Sequence, residues 1–251
     1  MHFCCLGSGS KGNATLVRHG KTLLMIDCGF STRQAVERLA AVGCGPEEIS
    51  AILVTHEHSD HISGVSGFAR KYGIPVHATR GTAKTGKLRD VEALCYLELD
   101  RPIRIGEIAV HPVAVPHDAN EPCQFVLEAE GKRLGVMTDL GSISPHVLSI
   151  YDGCHALLLE ANHDLEMLWN GSYPMVTKQR VASAWGHLSN LQAERFLQEI
   201  NLDLLETLVL GHISEQNNHV DIVKRHFSTL EGRLRRVVYA TQESGFSWLD
   251  V

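Results

Sequence analysis

Four side chains of metal-binding type occur within six consecutive positions, directly after an apolar run that has the length of a β-strand. The run covers residues 51–54, and the cluster consists of His56, His58, Asp60 and His61. Three imidazoles and a carboxylate packed together without a cation would leave buried donors unpaired and a charge uncompensated. Imidazole and carboxylate groups suit zinc, manganese or iron, and a turn at the end of a strand can direct alternate side chains toward two neighbouring ions. The segment therefore predicts a metal centre between a strand and a helix.

Further candidate ligands stand at the ends of other apolar runs. They are Asp27 after residues 23–26, His117 after 112–116, Asp139 after 134–138 and His212 after 207–211. If these strands share an edge, their ends converge on one rim, where loops on a rigid scaffold commonly hold functional residues.

Strand-like and helix-like segments alternate along the whole chain. Apolar runs that predict strands cover residues 23–26, 51–54, 108–115, 124–129, 134–137, 156–159, 207–210 and 237–240. Helical periodicity covers residues 32–42, 64–72, 191–200 and 220–230. Two of the helices begin with a capping-box pattern, Ser31 with Gln34 and Ser189 with Gln192.

Short turns join some of the predicted strands into hairpins. Gly106 and Glu107 separate one pair, and residues 130–132 separate the next. Hairpins combined with interspersed helices favour an α/β sandwich over a parallel Rossmann sheet. The glycine-rich segment 7–12 precedes a stretch without helical period, so it does not predict a dinucleotide site.

Composition places the chain among ordinary globular proteins. It has 251 residues, of which 44% are hydrophobic and 21% are charged, and we expect a single domain over residues 1–251. The first residues do not resemble an export signal, and no apolar stretch reaches the length of a membrane span. We therefore expect a cytoplasmic protein that does not insert in membranes, with its seven cysteines reduced.

A net charge of −6 argues against a generally basic coat for nucleic acid. A local basic stretch nevertheless lies between positions 62 and 89, which contain no acidic residue. Its cations are Arg70, Lys71, Arg80, Lys84, Lys87 and Arg89. The stretch fits either a solvated helix and loop face or a phosphate-binding surface.

The motifs together resemble the metallo-β-lactamase superfamily over essentially the whole chain. Asp27, the HxHxDH turn, His117, Asp139 and a late histidine match the five motifs of that family. Four further segments resemble its YycJ/WalJ branch of DNA 5′-exonuclease-like proteins, namely residues 7–13, 159–164, 186–190 and 211–218. The resemblance implies an α/β fold, a four-layer αββα sandwich of two mixed β-sheets.

The resemblance also implies a ligand set for two divalent ions, zinc or manganese, with iron possible. His56, His58 and His117 would hold one ion, and Asp60, His61 and His212 the second. Asp139 would bridge both. Asp27 would orient a ligand imidazole by accepting its other N–H, as outer carboxylates often do.

Two histidines, His187 and His212, compete for the last ligand position. The related ribonuclease Z branch has a similar pair, of which the second is a ligand after a strand, so His212 is assigned to metal. His187 becomes a candidate general acid whose imidazole Glu160 keeps protonated, and Asp60 completes the catalytic set. Helix capping or a surface ion pair is the structural alternative for both histidines.

The resemblance and these assignments together imply a metal-dependent phosphodiesterase that acts on nucleic acid, as a DNA 5′-exonuclease. Ser8, Ser10 and Asn13 are candidate hydrogen-bond donors to a substrate phosphate. Lys178, Arg180 and the basic stretch are candidate contacts for the nucleic-acid backbone. A small-molecule hydrolase, thioesterase-like or a cyclic phosphodiesterase, is the alternative enzyme. A regulatory protein that keeps metal for structural reasons is the non-enzymatic alternative.

Overall fold

The protein is described here by a computed structural model that covers all 251 residues. Its fourteen strands are β1 His2–Gly7, β2 Ala14–His19, β3 Thr22–Ile26, β4 Ala51–Leu53, β5 Val76–Thr79, β6 Leu94–Leu97, β7 Ile103–Ile105, β8 Ile108–Ala114, β9 Cys123–Ala129, β10 Lys132–Met137, β11 Ala156–Glu160, β12 Thr207–Gly211, β13 Arg236–Tyr239 and β14 Phe246–Asp250. Its nine α-helices are α1 Thr32–Ala41, α2 Ser59–Ile62, α3 Val65–Tyr72, α4 Arg80–Lys84, α5 Pro145–Tyr151, α6 Leu165–Asn170, α7 Met175–Val181, α8 Asn190–Glu199 and α9 Val220–Glu231.

The strands form two seven-stranded mixed sheets. The first has the order β14-β1-β2-β3-β4-β5-β6, antiparallel from β14 to β3 and parallel from β3 to β6. The second has the order β13-β12-β11-β10-β9-β8-β7, antiparallel from β7 to β10 and parallel from β10 to β13. The two halves of the chain thus repeat one arrangement, and the C-terminal β14 takes in the first sheet the edge position that β7 takes in the second.

Three separate apolar clusters fill the spaces between four layers. One lies between the two sheets and contains Phe3, Phe125 and Leu158. The other two lie between the outer face of each sheet and its helices, with Leu39 in one and Phe196 in the other. This confirms the predicted αββα sandwich. Because most strands are buried on both faces, they are continuous apolar runs in the sequence.

The structure contains the predicted features that depend only on residues close together in the sequence. Both capping boxes are present, at Ser31 and Ser189. Glu130 and Gly131 form a two-residue hairpin turn with φ values of 49° and 73°, as a type I′ turn requires, while Lys132 already belongs to β10. The glycine-rich segment connects β1 to β2 rather than a strand to a helix.

Five strands lacked a recognised sequence signal, namely β1, β2, β5, β6 and β14. All seven cysteines are free thiols, and Cys95 alone is exposed. None of the helices is both long enough and apolar enough to span a membrane.

Candidate metal centre

Loops at the carboxyl ends of strands from both sheets carry the predicted functional side chains. Asp27 follows β3, His56 follows β4, Asp139 follows β10, Glu160 ends β11 and His212 follows β12. The convergence expected from the sequence is therefore present, and the site lies across one rim of the sandwich.

Three imidazoles form the first group of this site. The ligand nitrogens of His56, His58 and His117 all lie within 4.8 Å of one another. Nδ1 of His117 donates to the carbonyl of Gly186 at 2.9 Å, which leaves its Nε2 lone pair facing Nδ1 of His58 at 3.2 Å. Nδ1 of His56 lies 2.9 Å from Oγ1 of Thr55, and burial holds the pKa of His56 well below its usual value. Burial likewise lowers the pKa of His117, so His56 and His117 offer neutral ring nitrogens to a cation.

The second group consists of Asp60, His61 and His212. Nδ1 of His61 donates to Oδ2 of Asp27 at 2.7 Å, so its Nε2 points toward Oδ2 of Asp60 at 3.4 Å. Nδ1 of His212 donates to Oε1 of Glu160 at 3.0 Å, and its Nε2 lies 3.7 Å from Asp60. Each imidazole is thus oriented by an outer carboxylate, an arrangement typical of metal-binding histidines.

Asp139 lies between the two groups and belongs geometrically to both. Its Oδ2 is 3.0 Å from Nε2 of His61, and the two side chains form a potential ligand cluster with His56. Its Oδ1 is 3.2 Å from Nδ1 of His212. This position supports the bridging part that the sequence resemblance implied.

The buried carboxylates and imidazoles balance each other's charge. Burial acts to lower the pKa of His61, but the carboxylates of Asp139, Asp27 and Asp60 raise it well above the usual value. Burial also acts to lower the pKa of His212, but Asp139 and Asp60 raise it well above the usual value. Burial acts to raise the pKa of Asp139, yet His212 and His61 bring it well below the usual value. The centre therefore keeps Asp139 ionised, and a buried ionised carboxylate requires positive charge beside it.

These residues fit two divalent cations. Two of the buried polar atoms, Nε2 of His56 and Oδ2 of Asp139, accept or donate no hydrogen bond, and such atoms are rare in native proteins. The donor set of five imidazoles and two carboxylates suits zinc, manganese or iron.

Two ligand-loop residues adopt the left-handed backbone conformation that is unusual for residues other than glycine. Asp27 has φ 60° and His212 has φ 51°, at a cost of about 1–3 kcal/mol each. Hydrogen bonds hold them, from the Asp27 amide to the Leu53 carbonyl and from the His212 amide to Oγ of Ser8, both at 2.8 Å. At Gly29 a Cβ atom would lie 1.8 Å from the carbonyl oxygen of Asp60, so the loop after β3 packs directly against the HxHxDH turn.

His187 and Glu160 form the pair that the sequence suggested. Nδ1 of His187 donates to Oε1 of Glu160 at 2.7 Å, and its Nδ1 also lies 3.3 Å from Asp139. Oε2 of Glu160 accepts from the amides of Leu140 and Leu188, both at 3.1 Å. Sequence reasoning missed that Oε1 also contacts His212, so one carboxylate orients both late histidines.

A cavity of about 320 Å³ opens onto these side chains, lined by His58, Asp60, Asp139, His187 and His212 among others. Ser10 is exposed at this cavity and remains a candidate substrate contact.

Ser8 and Asn13, the other two residues predicted to donate hydrogen bonds to a phosphate, are buried and lie outside the cavity. Ser8 accepts from the His212 amide, and Nδ2 of Asn13 lies 3.0 Å from Nε2 of His61 and 3.2 Å from Oδ2 of Asp60. Both side chains therefore support the ligand loops.

The cations predicted to contact a nucleic-acid backbone lie in different parts of the structure. Lys178 is buried and donates to the carbonyl of Trp169 at 2.7 Å, so the expectation that it contacts a nucleic-acid backbone is wrong. Arg180 lines the cavity and pairs with Asp118 at 3.0 Å. Within the basic stretch, Lys87 reaches the metal-binding turn by donating to the carbonyl of Glu57 at 2.8 Å.

Comparison with known proteins gives the same picture. The family model described as "Metallo-beta-lactamase superfamily" matches residues 7–176. The chain is 36% identical to "Exodeoxyribonuclease WalJ" of Streptococcus pneumoniae, covering 86% of this chain and 82% of the relative. It is 33% identical to "Exodeoxyribonuclease YycJ" of Bacillus anthracis, covering 91% and 88%. The metallo-β-lactamase fold protein YhfI of Bacillus subtilis has a TM-score of 0.76 and 16% identity, with 99% of each chain covered, which shows a common fold.

Replacement of Asp27 by Asn tests its orienting part. We expect Asp27→Asn to lower the affinity for a divalent metal about 10- to 100-fold, because the amide is a weaker acceptor for the His61 N–H than the carboxylate. Zinc titration by calorimetry measures this affinity. The matched control is Asp100→Asn, which changes an exposed aspartate with the same left-handed backbone, φ 59°. Equal zinc affinities in the two variants would contradict the assignment.

Proposed function

The chain belongs to the metallo-β-lactamase superfamily, and from this premise we propose that it is a dinuclear metal-dependent phosphodiesterase that degrades DNA from the 5′ end. That it is a metal-dependent hydrolase follows from the family and from relatives named exodeoxyribonucleases over most of their length. The geometric observation that carries the proposal is the His187–Glu160 pair at 2.7 Å beside the ligand cluster. A DNA substrate also favours action in the cytoplasm.

We assign the ligands as the sequence implied, with the potential clusters of the structure in support. One ion would be held by His56, His58 and His117. The other would be held by Asp60, His61 and His212. Asp139 would contact both. When bound, such ions act as Lewis acids toward a phosphoryl oxygen and lower the pKa of water that they bind.

The part of His187 follows from its hydrogen bonds. Glu160 is fixed by two backbone amides and accepts the Nδ1–H of His187, which sets the orientation of the ring for action as an acid in its imidazolium form. The Nε2–H is then available to protonate the leaving alkoxide oxygen as the P–O bond breaks. After that transfer, His187 is neutral and still donates from Nδ1 to Glu160. Glu160 and His187 therefore act as one acid unit.

A thioester or an activated ester does not need this acid, since its leaving group departs without a proton. The alternative of a small-molecule hydrolase is accordingly separated from the proposal by substrate choice rather than by the ligand set, which suits either reaction.

The direct experiment incubates metal-loaded protein with end-labelled single- and double-stranded DNA and RNA. We expect mononucleotides released from the 5′ end of DNA, and loss of hydrolysis in Asp139→Ala, because that variant removes the ligand shared by both groups. Hydrolysis of a thioester without any cleavage of nucleic acid would instead support the small-molecule alternative.

His187→Ala separates acid catalysis from metal binding. We expect kcat on DNA to fall about 10²- to 10⁴-fold, with bound metal unchanged. On an aryl phosphodiester, whose phenolate leaves without a proton, the loss is expected to be much smaller. The matched control is His146→Ala, at an exposed histidine that pairs with Asp100 on the surface. Equal losses of kcat on both substrates would refute the acid part.

A further inference from the structure

The segment that connects Glu160 to His187 exposes an unusual amount of apolar surface. This segment, residues 161–186, contains α6 and α7 and is called the wall segment below. The chain has eight exposed large hydrophobic side chains, and five of them belong to the wall segment, Leu165, Trp169, Met175, Val176 and Trp185. Trp169 is 45% exposed and Trp185 is 60% exposed. Concentrated exposed apolar surface of this kind marks a binding surface.

The wall segment also forms one side of the cavity at the metal centre. Tyr173, Thr177, Arg180 and Val181 line that cavity together with His187. The exposed apolar side chains and the cavity lining therefore come from one short piece of chain.

Hydrogen bonds fix the backbone at or next to both tryptophans. The Trp169 carbonyl accepts from Nζ of Lys178 at 2.7 Å, which ties the end of α6 to α7. The Trp185 amide donates to Oγ of Ser183 at 3.3 Å, and the next amide but one, that of His187, donates to the carbonyl of Val181 at 2.9 Å. Between them, at Gly186, a Cβ atom would lie 2.2 Å from the Val181 carbonyl. The backbone at both tryptophans is thus fixed before any ligand binds, which lowers the entropic cost of ordering this part of the chain on binding.

One cation of the wall segment, Arg180, is placed where it can contact a phosphate. Arg180 lines the cavity, and its side chain is 52% exposed although it pairs with Asp118. A cation next to the reacting centre can contact a phosphate, and the exposed indoles of the same segment can stack with bases. An apolar partner protein would not need the arginine, and a duplex would keep its bases stacked on one another.

We propose that the wall segment is the binding surface for an unpaired DNA strand end, with bases stacked on Trp185 and Trp169 and a backbone phosphate at Arg180. This inference rests on the proposed nuclease function and adds the form of the substrate. Because Trp185 precedes His187 by only two residues, a strand that stacks on Trp185 would have the bond to be cleaved close to His187.

Fluorescence anisotropy with a labelled oligothymidylate tests the inference, using metal-loaded protein and phosphorothioate linkages at both ends of the strand to prevent digestion. We expect Trp185→Ala and Trp169→Ala each to weaken binding about 5- to 150-fold. Trp185→Phe should retain most of the affinity, because a phenyl ring still stacks. A blunt duplex of the same length should bind more weakly than the single strand.

The chain provides its own control in its third tryptophan. Trp248 lies in β14, outside the wall segment, and its indole N–H donates to the carbonyl of Val42 at 2.9 Å. Trp248→Phe should leave the affinity for the oligothymidylate unchanged. Circular dichroism of each variant checks that it has folded.

Three results would overturn the inference, and they differ in what else they affect. Unchanged affinity in both alanine variants, with DNA still hydrolysed by the wild type, rejects the wall segment and leaves the nuclease function intact. Conversion of a dimer to a monomer by Trp185→Ala, with unchanged affinity for DNA, identifies the surface as a subunit interface. Absence of any DNA hydrolysis or binding by the wild type rejects the proposed function and the inference together.

Discussion

The buried carboxylate of Asp139 is the group on which the rest of the site depends. It is 2% exposed and lies 3.0 to 3.3 Å from ring nitrogens of His61, His187 and His212. A carboxylate at this depth stays ionised only when positive charge surrounds it. That requirement brings together histidines from three loops, and it makes a pair of cations the natural partners of the cluster. Glu160 is a second buried carboxylate, and it orients two of these imidazoles, those of His187 and His212.

The sandwich supplies this arrangement because its two halves end at the same rim. In each sheet the carboxyl ends of the parallel strands face the metal centre, so short loops are enough to place ligands from both sheets around it. The left-handed backbone at Asp27 and His212 shows the local cost of that delivery. Ser8 and Asn13 offset it by supporting the His212 amide and the HxHxDH turn. The wall segment then adds, between Glu160 and His187, the exposed rings that the ligand loops lack.

Much of the site could be predicted from the sequence, since its signals are local. The HxHxDH turn is contiguous, and Asp27, Asp139 and His212 each follow an apolar run. The parts of Ser8 and Lys178 could not be predicted, because burial depends on contacts with distant residues, here His212 and Trp169. The same reason applies to β1 and β14, because these strands pair residues from the two ends of the chain. The second contact of Glu160, with His212, likewise joins two strands that only the fold makes neighbours.

We propose that seven side chains bind two metal ions and that the Asp139 carboxylate is the ligand common to both. Elemental analysis of purified protein, after metal loading and removal of excess ions, tests it most directly when the wild type is compared with Asp139→Ala. About two divalent transition-metal ions per chain are expected in the wild type, with a clear loss of bound metal in the variant, because the ligand common to both positions is gone. Wild-type protein that binds no metal on titration, and whose folding does not change on chelation, would contradict it.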